Sequence, residues 1–134
     1  MIGVDTKVIV RLLVADDARQ ADAAARYLQT HCSGSEPAFL SDVVLVETAW
    51  VLEDLYGYSR AQIALAMEGL LATAQLKAAS VATVNRAILQ YRAGAADFAD
   101  CLLGAGNVTA GCDYTATFDR KAARLAEFRL IGAA

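Results

Sequence analysis

Residues 111–125 read GCDYTATFDRKAARL and contain the strand-to-helix junction from which the fold can be predicted. After the glycine turn, alternating β-branched and aromatic residues predict a short buried strand over Gly111–Phe118. Asp119 follows where a helix N-cap belongs, and the next residues, RKAAR, favour a helix. An acid in this position lies at the carboxyl edge of its strand, where open α/β sheets bind ligands. We therefore expect other parts of the chain to bring carboxylates to the same edge.

The first residues of the chain repeat this arrangement. A short strand is predicted over Met1–Asp5, and Thr6 is placed to cap a helix that apolar spacing predicts over Lys7–Val14. Asp5 thus ends a strand and precedes a helix, as Asp119 does. For Asp5 taken alone, a purely structural N-cap is an equally good interpretation.

The remaining segments alternate in type. Further helices are predicted over Ala18–His31, Asp42–Tyr56, Arg60–Ala74, Val81–Ala93 and Asp97–Ala105. Further short strands are predicted at Phe39 and Leu40, over Leu76–Ser80 and over Phe128–Ile131. Helices that separate four or five short strands are typical of a parallel sheet covered on both faces, so the predicted class is helix-rich α/β.

Three acids stand out within the predicted helices. Glu47 lies in VVLVETAWVL, where nearly every other residue is apolar, and acids are rarely buried without a partner. An ion pair with a distant Arg or Lys is one interpretation, and a cation shared by several carboxylates is the other. Asp97 and Asp100 are three residues apart and face the same way on a helix, where like charges repel unless a positive group lies between them.

The composition limits the class of protein. The 134 residues suit a single domain over 1–134, and 57% of them are hydrophobic, without an apolar run long enough to span a membrane. We expect an intracellular, cytoplasmic protein that makes no membrane contact. Cys32, Cys101 and Cys112 lack paired spacing and lie in apolar surroundings, which favours buried hydrophobes over metal ligands or disulfides. The net charge of −3 does not by itself indicate nucleic-acid binding.

Four acids, Asp5, Glu47, Asp100 and Asp119, thus fall at strand ends or on an otherwise apolar helix. Their motifs contain no basic partner for them, and carboxylate oxygens are the ligands that Mg²⁺ and Mn²⁺ prefer. The segments IGVDTKVIVRLL, LVETAWVL, ADFADCLL and GCDYTATFDRKAARL resemble the four acidic motifs of PIN domains, and specifically of VapC-type toxins. The resemblance runs from Met1 to about Leu130.

This resemblance implies a PIN-like three-layer α/β/α fold around a short, mostly parallel sheet. It implies that the four acids are catalytic and bind Mg²⁺, with Mn²⁺ as the alternative, and that Asp119 contacts the metal through water. Thr6 and Thr117 would line the pocket, and Asp97 would lie at its rim or cap its helix. Arg120 and its basic neighbours can contact RNA phosphates, although a solvated helix face explains them equally well.

The implied activity is that of a toxin. VapC-type proteins are metal-dependent endoribonucleases that hydrolyse RNA phosphodiester bonds with a metal-activated water. The resemblance further implies a small antitoxin protein as the partner that neutralises the activity. The high apolar content of residues 42–74 predicts a homodimer, and the resemblance agrees with it.

Two other classes of function are considered. A different Mg²⁺ phosphotransfer enzyme is disfavoured, because a haloacid-dehalogenase-like phosphatase needs an Asp where Lys7 stands. A receiver domain needs paired acids directly after the first strand, whereas Asp16 and Asp17 follow a helix. The remaining alternative is a non-catalytic PIN-fold module that serves binding or dimerisation.

Overall fold

The computed structural model describes residues 1–94 and 96–132. The elements in chain order are α1 (Thr6–Leu13), α2 (Ala18–His31), β1 (Ala38–Leu40), α3 (Asp42–Asp54), α4 (Arg60–Leu71), β2 (Leu76–Ala78), α5 (Val81–Arg92), α6 (Phe98–Thr109), β3 (Thr115–Thr117), a 3₁₀ turn (Ala122–Arg124) and β4 (Phe128–Leu130). Helices alternate with short parallel strands, which confirms the predicted α/β class. The chain divides into two compact units, Met1–Ala79 and Ser80–Ala134. A single domain over 1–134 stays a prediction.

The strands of the first unit run parallel. β1 pairs with β2 in a register that sets Phe39 opposite Lys77. The strand predicted over Met1–Asp5 is reduced to one parallel bridge between Gly3 and Phe39, in which the Phe39 N–H donates to the Ile2 carbonyl at 2.7 Å. The N-terminal segment therefore runs beside β1 and delivers Asp5 to the start of α1.

The helices of the first unit enclose one apolar core. α1 packs against α2 and α3, and α3 packs against α4. The largest side chains that are completely or almost completely buried here are Ile9, Leu40, Leu45, Leu52, Ile63 and Met67. Each such side chain contributes about 1.5–3 kcal/mol of burial free energy. These contacts hold the first turn of α1, which carries Thr6, and the middle of α3, which carries Glu47.

The second unit is built on the packing of α5 against α6 and on the parallel pair β3–β4. Its buried residues include Val84, Ile88, Cys101, Leu102 and Phe128. Gly104 of α6 lies against the Phe128 ring, because a Cβ built at this glycine would stand 2.6 Å from Phe128 Cε1. This close approach fixes α6, the helix that carries Asp100, against β4.

The first helix is capped differently from the prediction. Thr6 is the first helical residue of α1 and not its cap, and Asp5 is the N-cap. Asp5 has an extended backbone, and its Oδ1 accepts a hydrogen bond from the Val8 N–H at 3.2 Å. The prediction was wrong because both residue types suit a cap, and the backbone turns at Asp5.

The segment that predicted the fold also differs from its prediction. β3 covers only Thr115–Thr117, and the segment is not buried, since Tyr114 and Phe118 are exposed. Asp119 does not cap an α-helix, because only a single 3₁₀ turn follows it. The N-cap residue of that turn is Lys121, whose side chain makes no capping hydrogen bond. Only three residues separate this turn from β4, which leaves no length for an α-helix.

The ends of the helices and the exposure of one cysteine also differ from the prediction. α6 continues to Thr109, beyond the predicted Ala105, whereas α3, α4 and α5 end one to three residues earlier than predicted. Cys32 and Cys101 are buried as predicted, but Cys112 is exposed because it follows the turn at Gly111, whose φ is +100°. Among residues 1–94 and 96–132, no helix combines the length and apolarity needed to cross a membrane.

Candidate active site

In the first unit, a hydrogen bond joins Thr6 to Glu47. The Thr6 hydroxyl donates to Glu47 Oε1 at 2.7 Å, which brings the carboxylate on α3 to the N-terminal turn of α1. Glu47 is exposed, so it is not the desolvated acid that its apolar sequence surroundings suggested. The buried residues of α3 turn to the core, whereas Glu47 lies on the exposed side of the helix with Val43 and Trp50, so it needs no buried ion pair. The N-terminal end of a helix also favours a carboxylate electrostatically.

Asp5 lies at the same helix end as Thr6. It is exposed, and its Oδ1 is held by the Val8 N–H while no donor reaches Oδ2 within the described residues. A cleft of about 400 Å³ opens beside it and is lined by Asp5, Lys7, Val8, Arg11, Gln20, Ala23 and Ala24. Arg11 is held at this cleft by Asp16, at 3.3 Å, and by Gln20. The Arg11 guanidinium therefore lines the same cleft as Asp5, the candidate metal-binding residue, while it pairs with Asp16 instead.

In the second unit, three carboxylates gather. Asp97 is the N-cap of α6, and its Oδ1 accepts from the Asp100 N–H at 2.9 Å. The cap interpretation of Asp97 is thus confirmed, and the carboxylate also lies close enough to Asp100 to repel its charge. Asp119, at the end of β3, contributes to the same repulsion. The structure therefore brings the third and fourth acids of the sequence pattern into one acidic group with Asp97.

This acidic group shifts the titration of its central member. Partial burial, and then the neighbouring carboxylates of Asp97 and Asp119, raise the pKa of Asp100 from 3.8 to about 6. Within the described part of the chain, no basic side chain is among the groups that set this pKa. The surroundings of Asp100 therefore disfavour its charged form.

Asp119 is held by its own backbone surroundings. Its Oδ1 accepts from the Lys121 N–H at 2.8 Å, and its N–H donates to the Thr117 hydroxyl at 2.9 Å. Thr117 thus positions Asp119, while Arg120 is exposed directly after it. Asp119 Oδ2 receives no hydrogen bond from the described residues, so it stays free to bind a ligand.

These residues fit a hard divalent cation. Carboxylate oxygens are donors that Mg²⁺ and Mn²⁺ prefer, and a bound cation relieves the repulsion between neighbouring carboxylates. Across residues 1–94 and 96–132, no three His, Cys, Asp or Glu side chains already form a group able to hold a metal ion. The acids of the second unit therefore repel one another through space without forming a finished ligand cage.

Two features of the second unit were not predicted. Glu127 is only 5% exposed and accepts hydrogen bonds from Arg86 and Gln90. Burial alone would raise the pKa of Glu127, but these hydrogen bonds outweigh it and hold the pKa below its usual value. The single acid in LAEFRL, where Arg129 is the other charged residue, was the available signal. The second feature is the exposure of Tyr114 and Phe118, which the sequence pattern does not reveal.

The comparison with known families identifies the class of protein. The PIN domain family model matches residues 2–128, and the chain belongs to the PIN domain family. PIN domains are typically metal-dependent nucleases, so this chain has the fold of a nuclease. Searches of the curated proteins and of the solved structures returned no match.

Proposed function

We propose that this PIN domain is a VapC-type toxin, a Mg²⁺-dependent endoribonuclease of the cytoplasm that a cognate antitoxin neutralises. The observation that carries the proposal is the acidic group of Asp97, Asp100 and Asp119 in a chain whose family is typically nucleolytic. Structural acids are normally paired with cations, whereas these lie beside one another. Such an arrangement is useful when a divalent cation binds to it.

Each candidate residue has a defined role in this proposal. Asp5, Glu47, Asp100 and Asp119 would hold Mg²⁺, or Mn²⁺ in its place, and Asp97 caps α6 next to Asp100. When bound, the cation activates water and offsets charge on the phosphoryl oxygens. Thr6 orients the Glu47 carboxylate, and Thr117 orients the Asp119 backbone. That the acids of the two units converge on one cation stays a prediction.

Basic residues near the acids would hold the RNA. Lys7 and Arg11 line the cleft beside Asp5, and Arg120 and Lys121 follow Asp119. Their guanidinium and ammonium groups would bind phosphates on either side of the scissile bond. They would fix the RNA strand without reading its sequence.

The partners follow from the same proposal. Val43, Trp50, Leu55 and Leu65 are large apolar side chains that are exposed on α3, α4 and their connection. We propose that a second copy of the chain covers them. The antitoxin would cover apolar surface near the first helices and insert an Arg or Lys toward Asp5 and Asp100, where it would compete with Mg²⁺.

Cleavage of a labelled single-stranded RNA tests this function. The purified protein should cut the RNA with Mg²⁺ or Mn²⁺, lose the activity in EDTA, and regain it when the metal is restored. Addition of the antitoxin should suppress cleavage, and removal of the charge on its inserted basic residue should restore part of it. A well-folded protein that binds its partner but never cleaves RNA would instead support the non-catalytic module.

A further inference from the structure

The exposed face of β3 carries two aromatic rings. In β3, Ala116 is exposed while Thr115 and Thr117 are half-buried on the other face, and Tyr114 and Phe118 flank the strand at its two ends. Phe118 is 78% exposed and Tyr114 is 48% exposed. A ring this open to water, in the residue directly before Asp119, costs hydration free energy that an ordinary surface residue would avoid.

An arginine from β4 completes this face. The parallel register sets Ala116 opposite Arg129, which therefore lies on the same side of the pair. The Arg129 guanidinium carbon stands 4.8 Å from the centre of the Tyr114 ring, a cation–π contact. The Phe118 ring lies at the other end, with its Cε1 4.0 Å from the position of a Cβ at Gly132. We call Tyr114, Phe118 and Arg129 the aromatic face.

The surroundings of the aromatic face are basic, although the protein is acidic. Four of the twelve Lys and Arg residues lie within positions 114–131, namely Arg120, Lys121, Arg124 and Arg129. The same stretch contains two acids, of which Glu127 is buried and paired with Arg86. Within residues 113–131, the exposed acids are Asp113 and Asp119, and the four exposed cations outnumber them two to one. This segment therefore attracts a polyanion in a chain whose net charge is −3.

We propose that the aromatic face binds unpaired bases of the RNA substrate, with Phe118 as the ring on which a base stacks. The inference rests on the proposed nuclease function and adds a base-stacking site next to Asp119. Exposed rings among cations are the usual means of binding single strands, because every base offers a flat face and every nucleotide a phosphate. A duplex keeps its base faces stacked inside, so it would contact the cations alone. The adjacent Asp119 would place the stacked base next to the scissile phosphate.

Ring-specific substitutions test the proposal. Phe118→Ala, Phe118→Leu and Phe118→Tyr are made in the Asp5→Asn background, so that bound RNA stays intact. Affinity for a fluorescent single-stranded RNA and for an RNA duplex is measured by anisotropy. We expect Ala and Leu to weaken single-strand binding about 10-fold, Tyr to preserve it, and duplex binding to change little. Leu89→Ala, at a side chain 72% exposed on α5, is the control and should change neither affinity.

Two results would overturn the proposal. Leu at position 118 binding as well as Phe would show that apolarity and not the ring matters, as in a protein interface. Unchanged RNA affinity with weakened self-association or antitoxin binding would assign the face to a protein partner. Melting curves should show that each variant folds, because an exposed side chain such as Phe118 contributes little to the core. If the wild type cleaves RNA with metal but the Phe118 substitutions leave RNA affinity unchanged, only the stacking inference is refuted. If RNA affinity depends on the ring but the wild type never cleaves RNA, only the proposed nuclease activity is refuted.

Discussion

One carboxylate oxygen of each of three acids, Asp5, Asp97 and Asp119, accepts a backbone hydrogen bond. Their Oδ1 atoms accept the N–H groups of Val8, Asp100 and Lys121, respectively. These bonds fix the direction of each carboxylate before any ligand binds. A cap and a metal ligand are therefore compatible roles for one residue, and the structural interpretation of Asp5 does not compete with the catalytic one.

Asp100→Asn should stabilise the metal-free protein. The raised pKa shows that the folded state disfavours the charged Asp100, so the stability this group contributes is present below pH 4 and lost as pH rises through about 6. Because the side chain is largely solvated, the gain from Asn above pH 7 is about 1 kcal/mol or less. Thermal unfolding in EDTA measures it, and the difference should vanish near pH 4.

Asp42→Asn is the matched control, because Asp42 is also an acid in the first turn of its helix. Its removal should cost about 0.3–1 kcal/mol through the lost interaction with the helix dipole. Destabilisation by both substitutions would show that the helix dipole outweighs the repulsion between Asp100 and its neighbouring acids.

Thr6→Val should slow RNA cleavage without loss of stability. Valine keeps the shape of threonine but cannot donate the 2.7 Å hydrogen bond to Glu47. Residues that orient a metal ligand typically contribute 10–100-fold, so we expect a loss of about 10-fold. Thr6→Ser should restore the rate, and equal rates for Val and Ser would mean that the hydroxyl has no part in positioning Glu47.

At the scale of elements, Gly104 couples the helix of Asp100 to β4. Gly104→Ala would drive a Cβ against the buried Phe128 ring, and overpacking of this kind costs about 1–3 kcal/mol. Gly106→Ala, two residues along α6, meets no atom within 4 Å and should stabilise the helix by up to about 1 kcal/mol. Chemical denaturation of the pair measures the difference. Equal stabilisation by both would show that Phe128 moves aside freely.

The element predictions succeeded where the rule is local. Apolar spacing located α3, α4 and α5 to within a few residues, and in the structure their N-caps are Ser41, Ser59 and Ser80. The prediction that β3 is buried was wrong, because alternation shows that a strand has two faces but does not show which face a distant helix covers. The prediction of a helix after Asp119 was wrong for a similar reason, because the start of β4 limits the length of this segment to a single 3₁₀ turn. Three-residue strands give little pattern from which to correct either error.

The candidate site was predictable in part for the same reason. Acids at strand ends can be found from neighbouring residues, so Asp5 and Asp119 were singled out by position alone. The bond between Thr6 and Glu47 joins residues 41 positions apart and depends on how α1 packs on α3. Buried Glu127 depends in the same way on α5, which supplies Arg86 and Gln90.

At the scale of the whole molecule, self-association is the first prediction. A monomer would leave Trp50 and Leu65 in water, so light scattering at micromolar concentration should give twice the 14.2 kDa chain mass. Leu65→Glu should shift the mass toward the monomer, whereas Leu89→Glu, at an exposed leucine on α5, should not. A wild-type monomer would leave the antitoxin as the partner for this apolar surface.

The most direct test of the central claim compares two N-caps. Asp5 and Asp17 cap α1 and α2 with hydrogen bonds of 3.2 and 3.1 Å, and Asn caps as well as Asp. Both Asn variants should therefore melt like the wild type. With Mg²⁺, we predict that Asp5→Asn cleaves single-stranded RNA about 100-fold more slowly or worse, while Asp17→Asn keeps the wild-type rate. Equal cleavage by the two variants, or cleavage that persists in EDTA, would contradict the account.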